Sequence, residues 1–397
     1  MSKVLEVAVI GGGFSGLIAA ERLSQKFPTG SVKIIERGAR VGRKILATGN
    51  GRGNVSNILL SESNYHSLAG ADVSYALQKY GNKSLIEYFS SLGMDITVEG
   101  GRIYPSSYQA SSLLDLLRMK LEYKSVEEIT DAECVDISGD GDKFIIKTTC
   151  GNFAAKRVVL ACGGKAQKQY GSDGTAYRLA EKFGHSVTKL YPSIVQIKTD
   201  TDKIKGLKGL KQKVKLKAIS GVEVLAESEG DLLFTEYGVS GNAAFFISSY
   251  VTDKKDCCLS VDFLPEKDEK HLVEILRNKA KLGYIGADDM FTGIINKQIG
   301  RAIVKSVNTE DLSDKSIKRA VAALKDFRLE VLGTLGFDYA QVTRGGIRFS
   351  EIDERTFESK LQSGLYIVGE MLDVDGDCGG YNLQWAFSSA MCCAEAI

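Results

Sequence analysis

Apolar positions run along this chain in two periods, and the period changes mark out its parts. Val4-Leu5-Glu6-Val7-Ala8-Val9-Ile10 is a near-continuous apolar run, as expected of a strand buried on both faces. It enters Gly11-Gly12-Gly13-Phe14-Ser15-Gly16, and Val32-Lys33-Ile34-Ile35-Glu36 forms a second strand beyond a helix that starts near Ser15. Strands and helices alternate from there to about residue 190. One helical stretch, 73–92, carries Leu77, Tyr80, Leu85, Tyr88 and Phe89; another, 111–123, carries Leu113, Leu114, Leu116, Leu117 and Met119. Phe144-Ile145-Ile146 and Arg157-Val158-Val159-Leu160-Ala161 read as strands. From about 190 to 265 the pattern becomes short alternating strands. From about 266 to 335 it is helical, through Leu272, Ile275, Leu276, Ile294, Ile295, Ile299, Val321, Leu324, Phe327 and Leu329. Strands return after Gly336, with Gly364-Leu365-Tyr366-Ile367-Val368-Gly369 as a buried one, and a last helix runs from about Asn382 to the end.

The opening segment is a three-part dinucleotide signature: an apolar strand, a G-x-G-x-x-G turn, and an acid twenty residues after Gly16. Gly11 allows the tight turn, Gly13 lets backbone approach a pyrophosphate, and Gly16 lets the helix pack on the strand. The helix start at Phe14 and Ser15 offers free N–H groups to phosphate. Glu36, with Arg37 beside it, can accept both ribose hydroxyls, which favours FAD or NAD over NADP. The natural organisation is a nucleotide domain made of both chain ends, 1–190 and 336–397, with 191–265 and 266–335 inserted.

Composition changes this picture little. The 397 residues carry a net charge of +1, against a polyanion-binding protein as a whole. The deviation is glycine, 42 residues against 4 prolines, much of it in pairs and triplets that suit close backbone approach to a ligand. Eight cysteines include no C-x-x-C, so free thiols in a reducing compartment are expected, and no metal site. No window approaches eighteen uninterrupted apolar residues and no leader pattern is present, which points to a cytoplasmic protein.

Three further glycine clusters suit a flavin. The loop 44–54 combines Lys44, Asn50, Arg52 and Asn54 with Gly49, Gly51 and Gly53, a composition fit to wrap a pyrophosphate and a ring edge. Ala161, Gly163 and Gly164 end a strand returning beside the nucleotide. Gly369, Glu370, Asp373, then Gly380, Tyr381, Asn382 and Gln384 open the last helix. That helix start would face the flavin N1–C2 carbonyl region, and Asp373 would bond the ribityl chain.

Here the chain resembles the YhiN/BaiN-type flavoproteins, a branch of the glutathione-reductase-like FAD class. The matching segments are the opening turn, Gly42-Arg43-Lys44 with Thr48-Gly49-Asn50-Gly51-Arg52, Gly101-Arg102-Ile103-Tyr104-Pro105-Ser106, Leu233-Phe234-Thr235 with Gly238-Val239-Ser240-Gly241, Thr343-Arg344-Gly345-Gly346-Ile347, and Gly369-Glu370 through Gln384. The resemblance implies an α/β fold: a discontinuous Rossmann domain holding non-covalent FAD, an inserted β-barrel-like domain and a helical domain. Arg43, Thr48 and Val135 join the expected cofactor residues. It also implies oxidoreductase chemistry on a small organic substrate, in some relatives reduction of a double bond conjugated to a ketone. Gly53 stands where a cysteine is usual, Glu236 where a histidine is usual, and Asn242 where a proline is usual; the 164–174 stretch is also atypical.

For the chemistry, Tyr104, Arg344 and Tyr381 are candidates to donate a proton or polarise a carbonyl, set against packing for the tyrosines and flavin binding for Arg344. No second G-x-G-x-x-G follows a strand, so NAD(P)H would dock transiently, or electrons would leave to oxygen or a carrier. The rival readings are an oxidase of a small amine or ketone, and a flavin-containing RNA-binding or scaffold protein using the lysines from Lys211 to Lys217. Those lysines alternate on one strand face, and the default for them is a solvated or edge-protecting strand, so nucleic acid is not the expected partner. Asp373-Val374-Asp375-Gly376-Asp377 superficially matches a calcium loop, but Cys378 and Gln384 occupy positions that need glycine and glutamate. His185, after Gly184, is expected to cap a helix end.

Overall fold

The computed structural model describes residues 4–397. They form two compact units, one using both chain ends up to Tyr191 and from Gln341, the other Pro192–Ala340.

The first unit is built on a parallel sheet. Strand β1 (Leu5–Ile10) lies between β2 (Val32–Ile35) and the strand Gly151–Leu160, with Val9 facing Ile34 on one side and Val159 on the other. Helix α1 (Phe14–Leu23) crosses between β1 and β2. The strand Glu127–Ile129 extends the sheet beyond β2, also in parallel. Gly151–Leu160 divides its outer edge: residues 151–155 pair antiparallel with the strand Lys143–Thr148, whereas 158–160 pair parallel with Leu365–Ile367. The chain thus returns after the second unit to finish the sheet it began. Val7, Val9, Ile34, Val158 and Leu160 are fully buried, in keeping with their near-continuous apolar runs. The expected helix over 73–92 is two helices, Ser74–Lys79 and Asn82–Ser91. Gly81 separates them in extended conformation, where a Cβ would stand 2.7 Å from the Leu77 carbonyl oxygen.

In the second unit six antiparallel strands close a barrel: Ile197–Thr199, Gly238–Ser240, Glu223–Phe234, Lys211–Ser220, Cys257–Asp262 and Phe327–Thr334. Helices Glu269–Ala280, Lys297–Ser306 and Asp314–Lys325 share one apolar core with it, through Leu272, Ile303 and Leu324 among Leu216, Leu259 and Phe327. Two segments differ from the sequence expectation. Phe327 and Leu329 stand on a barrel strand and not a helix, because the strand Cys257–Asp262 needs a partner to close the ring. Asn242–Val251, placed among short strands, is a helix.

The lysine strand is a sheet edge only over its first four residues, where Lys211 and Lys213 are exposed. Lys211–Ser220 pairs along its length with Glu223–Phe234, and from Lys215 onward also with Cys257–Asp262. Its lysines meet acids across the strand pair: Lys211 with Asp231 at 2.8 Å, and both Lys215 and Lys217 with Glu227. No helix among the described residues is long and apolar enough to cross a membrane.

Candidate functional site

The opening turn separates its glycines by what surrounds them. Gly11 has φ +104°, and a Cβ there would lie 2.5 Å from the Ala161 carbonyl oxygen. On Gly16 it would lie 1.9 Å from the Gly11 carbonyl oxygen, so that position is closed by the α1–β1 packing. Around Gly13 the nearest atom would be 4.0 Å away. Gly13 also caps α1, whose first turn has no acidic residue and no side-chain cap. Its first N–H groups therefore have no side-chain cap, the condition for binding phosphate.

Half-buried Glu36 accepts the Gly12 N–H on Oε2 at 2.8 Å and the Gly38 N–H on Oε1 at 2.7 Å. A carboxylate has about four lone-pair directions, so half remain for a sugar diol. Beside it, Arg37 pairs with Asp173 at 2.9 Å and reaches the Thr175 hydroxyl. Burial alone would raise the Asp173 carboxyl, but hydrogen bonds from Arg37 and Thr175 overcome it and draw its pKa down to about 2. Asp173 lies in the atypical 164–174 stretch and was not among the expected residues. Its signal in the sequence is an acid bracketed by Gly171 and Gly174.

The second glycine loop turns through Ile45–Gly51, with Gly49 and Asn50 left-handed at φ 57° and 56° and the Thr48 hydroxyl donating to the Ile45 carbonyl at 2.6 Å. Gly42 N–H donates to Gly12 O at 2.7 Å, bringing this loop to the opening turn. Lys44 Nζ pairs with Glu370 Oε2 at 2.8 Å across 326 residues of sequence. Glu370 Oε1 accepts the Thr343 N–H at 2.9 Å, and Thr343 Oγ1 accepts the N–H groups of Lys165 and Ala166. A Cβ on Gly164 would stand 2.4 Å from Thr343 Oγ1 and 3.0 Å from Glu370 Oε1. Thr343 therefore joins the Gly163-Gly164 turn to Glu370, a role its motif did not reveal. Gly369 donates its N–H to Ser389 Oγ at 3.0 Å.

The last helix, Tyr381–Ala396, starts at Gly380 with φ 102°. A Cβ there would meet Ser56 O at 2.4 Å and Asn54 Oδ1 at 2.8 Å. Asn54 is buried, and its Oδ1 has no hydrogen-bond partner in the chain. Gln384 and Asn382 stand here too, but their polar atoms are committed: Gln384 to Ser56, Tyr80 O and Ser388, Asn382 to both backbone groups of Gly376. Asp373 is likewise occupied, accepting from Ser67 Oγ, Leu68 N–H and Ala69 N–H. Asp377 holds His66 Nε2 at 2.8 Å and Asn64 Nδ2 at 3.2 Å. The acidic run thus fastens segment 64–69 in the way a calcium loop would fasten an ion.

Of the candidate catalytic groups, Tyr381 is buried, which raises its pKa; Asp377 adds to this and Arg102 opposes it. Its carbonyl accepts the Tyr65 hydroxyl at 3.0 Å. Tyr104 is buried under the Arg52 guanidinium, which stands 4.5 Å above its ring and 4.6 Å above that of Tyr108. Arg344 is half-buried on the strand Val342–Arg344. Arg43 reaches outward to the Gln169 carbonyl at 2.6 Å. Val135 lies on the outer strand Cys134–Asp140 with its side chain 42% exposed, three residues past Ala132, whose N–H donates to Glu36 O. His185 caps with its backbone N–H, donated to Ala180 O; its buried ring bridges Glu351 and Ser359 at 3.1 and 2.8 Å.

An uncapped helix start over an open glycine, an acid closing the second strand and two returning glycine turns define a Rossmann-type, FAD-binding sheet. The chain belongs to the HI0933-like Rossmann family, whose model matches residues 5–396. It is 38% identical to the 3-dehydro-bile acid delta(4,6)-reductase of Clostridium scindens, over 98% of each chain. It is 30% identical to the ribosomal RNA dihydrouridine synthase of Haemophilus influenzae, over 100% of this chain and 99% of that one. Among solved structures, the 3-ketosteroid-delta4-(5alpha)-dehydrogenase of Rhodococcus jostii aligns over 100% of this chain and 97% of its own, at 13% identity and a TM-score of 0.47.

Proposed function

We propose that this protein is an FAD-dependent, NAD(P)H-driven oxidoreductase that reduces a carbon–carbon double bond conjugated to a carbonyl. The observation that carries it is the cradle itself: open room at Gly13, spare acceptor directions on Glu36, and a buried amide oxygen on Asn54 without a partner. These features fit FAD, which when bound supplies hydride transfer. Glu36 would hold the adenosine ribose and the α1 start the pyrophosphate. Glu370, beside Gly163-Gly164, would serve the ribityl chain, since Asp373 has spent its acceptors on segment 67–69.

The two relatives taken together support the choice of double bond. A 3-keto steroid with delta-4 unsaturation and the uracil ring share one reacting unit, a C=C bond conjugated to C=O. Such a unit needs a donor at the carbonyl and a proton at carbon. Tyr381, a phenol whose pKa is raised by burial, and Arg344 are assigned the carbonyl, and Tyr104, with Arg52 over its ring, the proton. A steroid enone is the first substrate reading, on the higher identity of the bile-acid reductase. A uridine base in RNA is the second, favoured by the full-length match to the dihydrouridine synthase.

The test is an anaerobic titration of the FAD-loaded protein with NADH and NADPH, followed by a 4-ene-3-keto steroid or a uridine-containing rRNA fragment. Bleaching by one nucleotide and recovery of the 450 nm band (about, for an ordinary oxidised flavin) with one of the two acceptors supports the reading. A protein that takes up no FAD, or whose reduced form is reoxidised by neither, overturns it.

A further inference from the structure

One buried group near the cradle lacks a role. Tyr177 is only 4% exposed, yet its hydroxyl has no hydrogen-bond partner in the chain. It follows directly on the segment that carries Ser172, whose Oγ would stand 3.0 Å from a Cβ on Gly163, and Asp173 and Thr175, which hold Arg37. Burial, with the nearby Glu370 and Asp373 carboxylates adding to it, pushes the phenol pKa well up, so the group is a neutral donor. Neither carboxylate takes its proton in the chain, since the Tyr177 hydroxyl has no hydrogen-bond partner, and Glu370, with one contact on each oxygen, keeps acceptor directions for a ligand. An unpaired hydroxyl in such a place is costly, and phenylalanine would pack there without that cost.

We infer that the Tyr177 hydroxyl finds its acceptor in the bound cofactor, on the ribityl chain beside Glu370 and the Gly163-Gly164 turn. A polyol both donates and accepts, so a carboxylate and a phenol together can match it. This rests on the FAD reading above.

The test is Tyr177→Phe, which removes one oxygen and keeps the ring, with Tyr366→Phe as a buried-tyrosine control. The melting temperature of the apoprotein should hold or rise, while the FAD dissociation constant, read by fluorescence quenching, should weaken about tenfold. FMN, which carries the ribityl chain, should weaken alike, whereas ADP, which lacks it, should bind unchanged. Equal FAD affinity in the wild type and Tyr177→Phe overturns the inference and leaves buried water as the hydroxyl's partner. A loss of ADP affinity overturns the ribityl placement. A wild-type protein that binds no FAD overturns both this inference and the reading it rests on, whereas wild-type binding with an unaffected variant overturns only the inference.

Discussion

Two helix starts in the first unit are both opened by glycine, but the glycines do opposite things. At α1, Gly13 is in extended conformation (φ −77°) with no atom nearer than 4.0 Å to a would-be Cβ, so its absent side chain leaves space. At the last helix, Gly380 sits at φ 102° against Ser56 O and Asn54 Oδ1, so its absent side chain avoids a collision. Gly380 is required by the chain packed against it, whereas nothing in the chain presses on the Cβ position of Gly13. The two starts can be told apart because one class of substitution should spare folding and the other should not.

The largest effect is expected at a fold glycine of the opening turn. Gly16→Ala would place a Cβ 1.9 Å from Gly11 O, and overpacking of this kind costs about 3 kcal/mol or more, visible as a lower denaturation midpoint even without cofactor. Gly13→Ala sharpens the contrast. The apoprotein should melt as the wild type does, while FAD affinity, measured by titration of the apoprotein, drops about ten- to hundredfold because the methyl enters the phosphate path. An apoprotein destabilised by Gly13→Ala would erase the distinction between the two positions. At the other start, Asn54→Ala should leave the apoprotein as stable or slightly more so, since it removes a buried unpaired oxygen, and should weaken FAD about threefold to tenfold. The smallest effect belongs to neither start. Burial lowers the pKa of His185 despite Glu351, so the fold favours the neutral ring; this stability is full above the ordinary value of 6.5 and declines as pH falls below it. Glu351 is also held low and loses stability on further acidification. The melting temperature should therefore fall by a few degrees from about pH 7.5 to 5, and His185→Gln should flatten the upper part of that fall.

The same contrast explains how much was legible in the sequence. The start of α1 could be read because its parts lie within thirty-odd residues: buried strands announce themselves as apolar runs, and each glycine of the turn has a local reason. The site's remaining partners are distant in sequence. Nothing local to Lys44 names Glu370, and nothing local to Thr343 names the turn at Gly163. Nothing local to Asp373, expected at the ribityl chain, names the residues 67–69 that it bonds some 300 positions earlier. In the second unit, Phe327 continues the three-residue spacing of Val321 and Leu324 and so reads as helix, while Leu329, two residues on, fits the strand that closes the barrel. Tyr177 gave no signal at all, because an unpaired hydroxyl is a property of three-dimensional surroundings.

The divided outer edge of Gly151–Leu160 has a consequence for how the protein comes off the ribosome. Its partner Leu365–Ile367, the Glu370 acid and the last helix are translated after every strand of the barrel. A nascent chain stalled before residue 365 has made the phosphate turn and the whole barrel, yet holds an incomplete sheet. The sheet is therefore completed only once residues 365–367 have emerged, and a chain cut before them keeps the opening glycine turn but lacks the strand that pairs with residues 158–160.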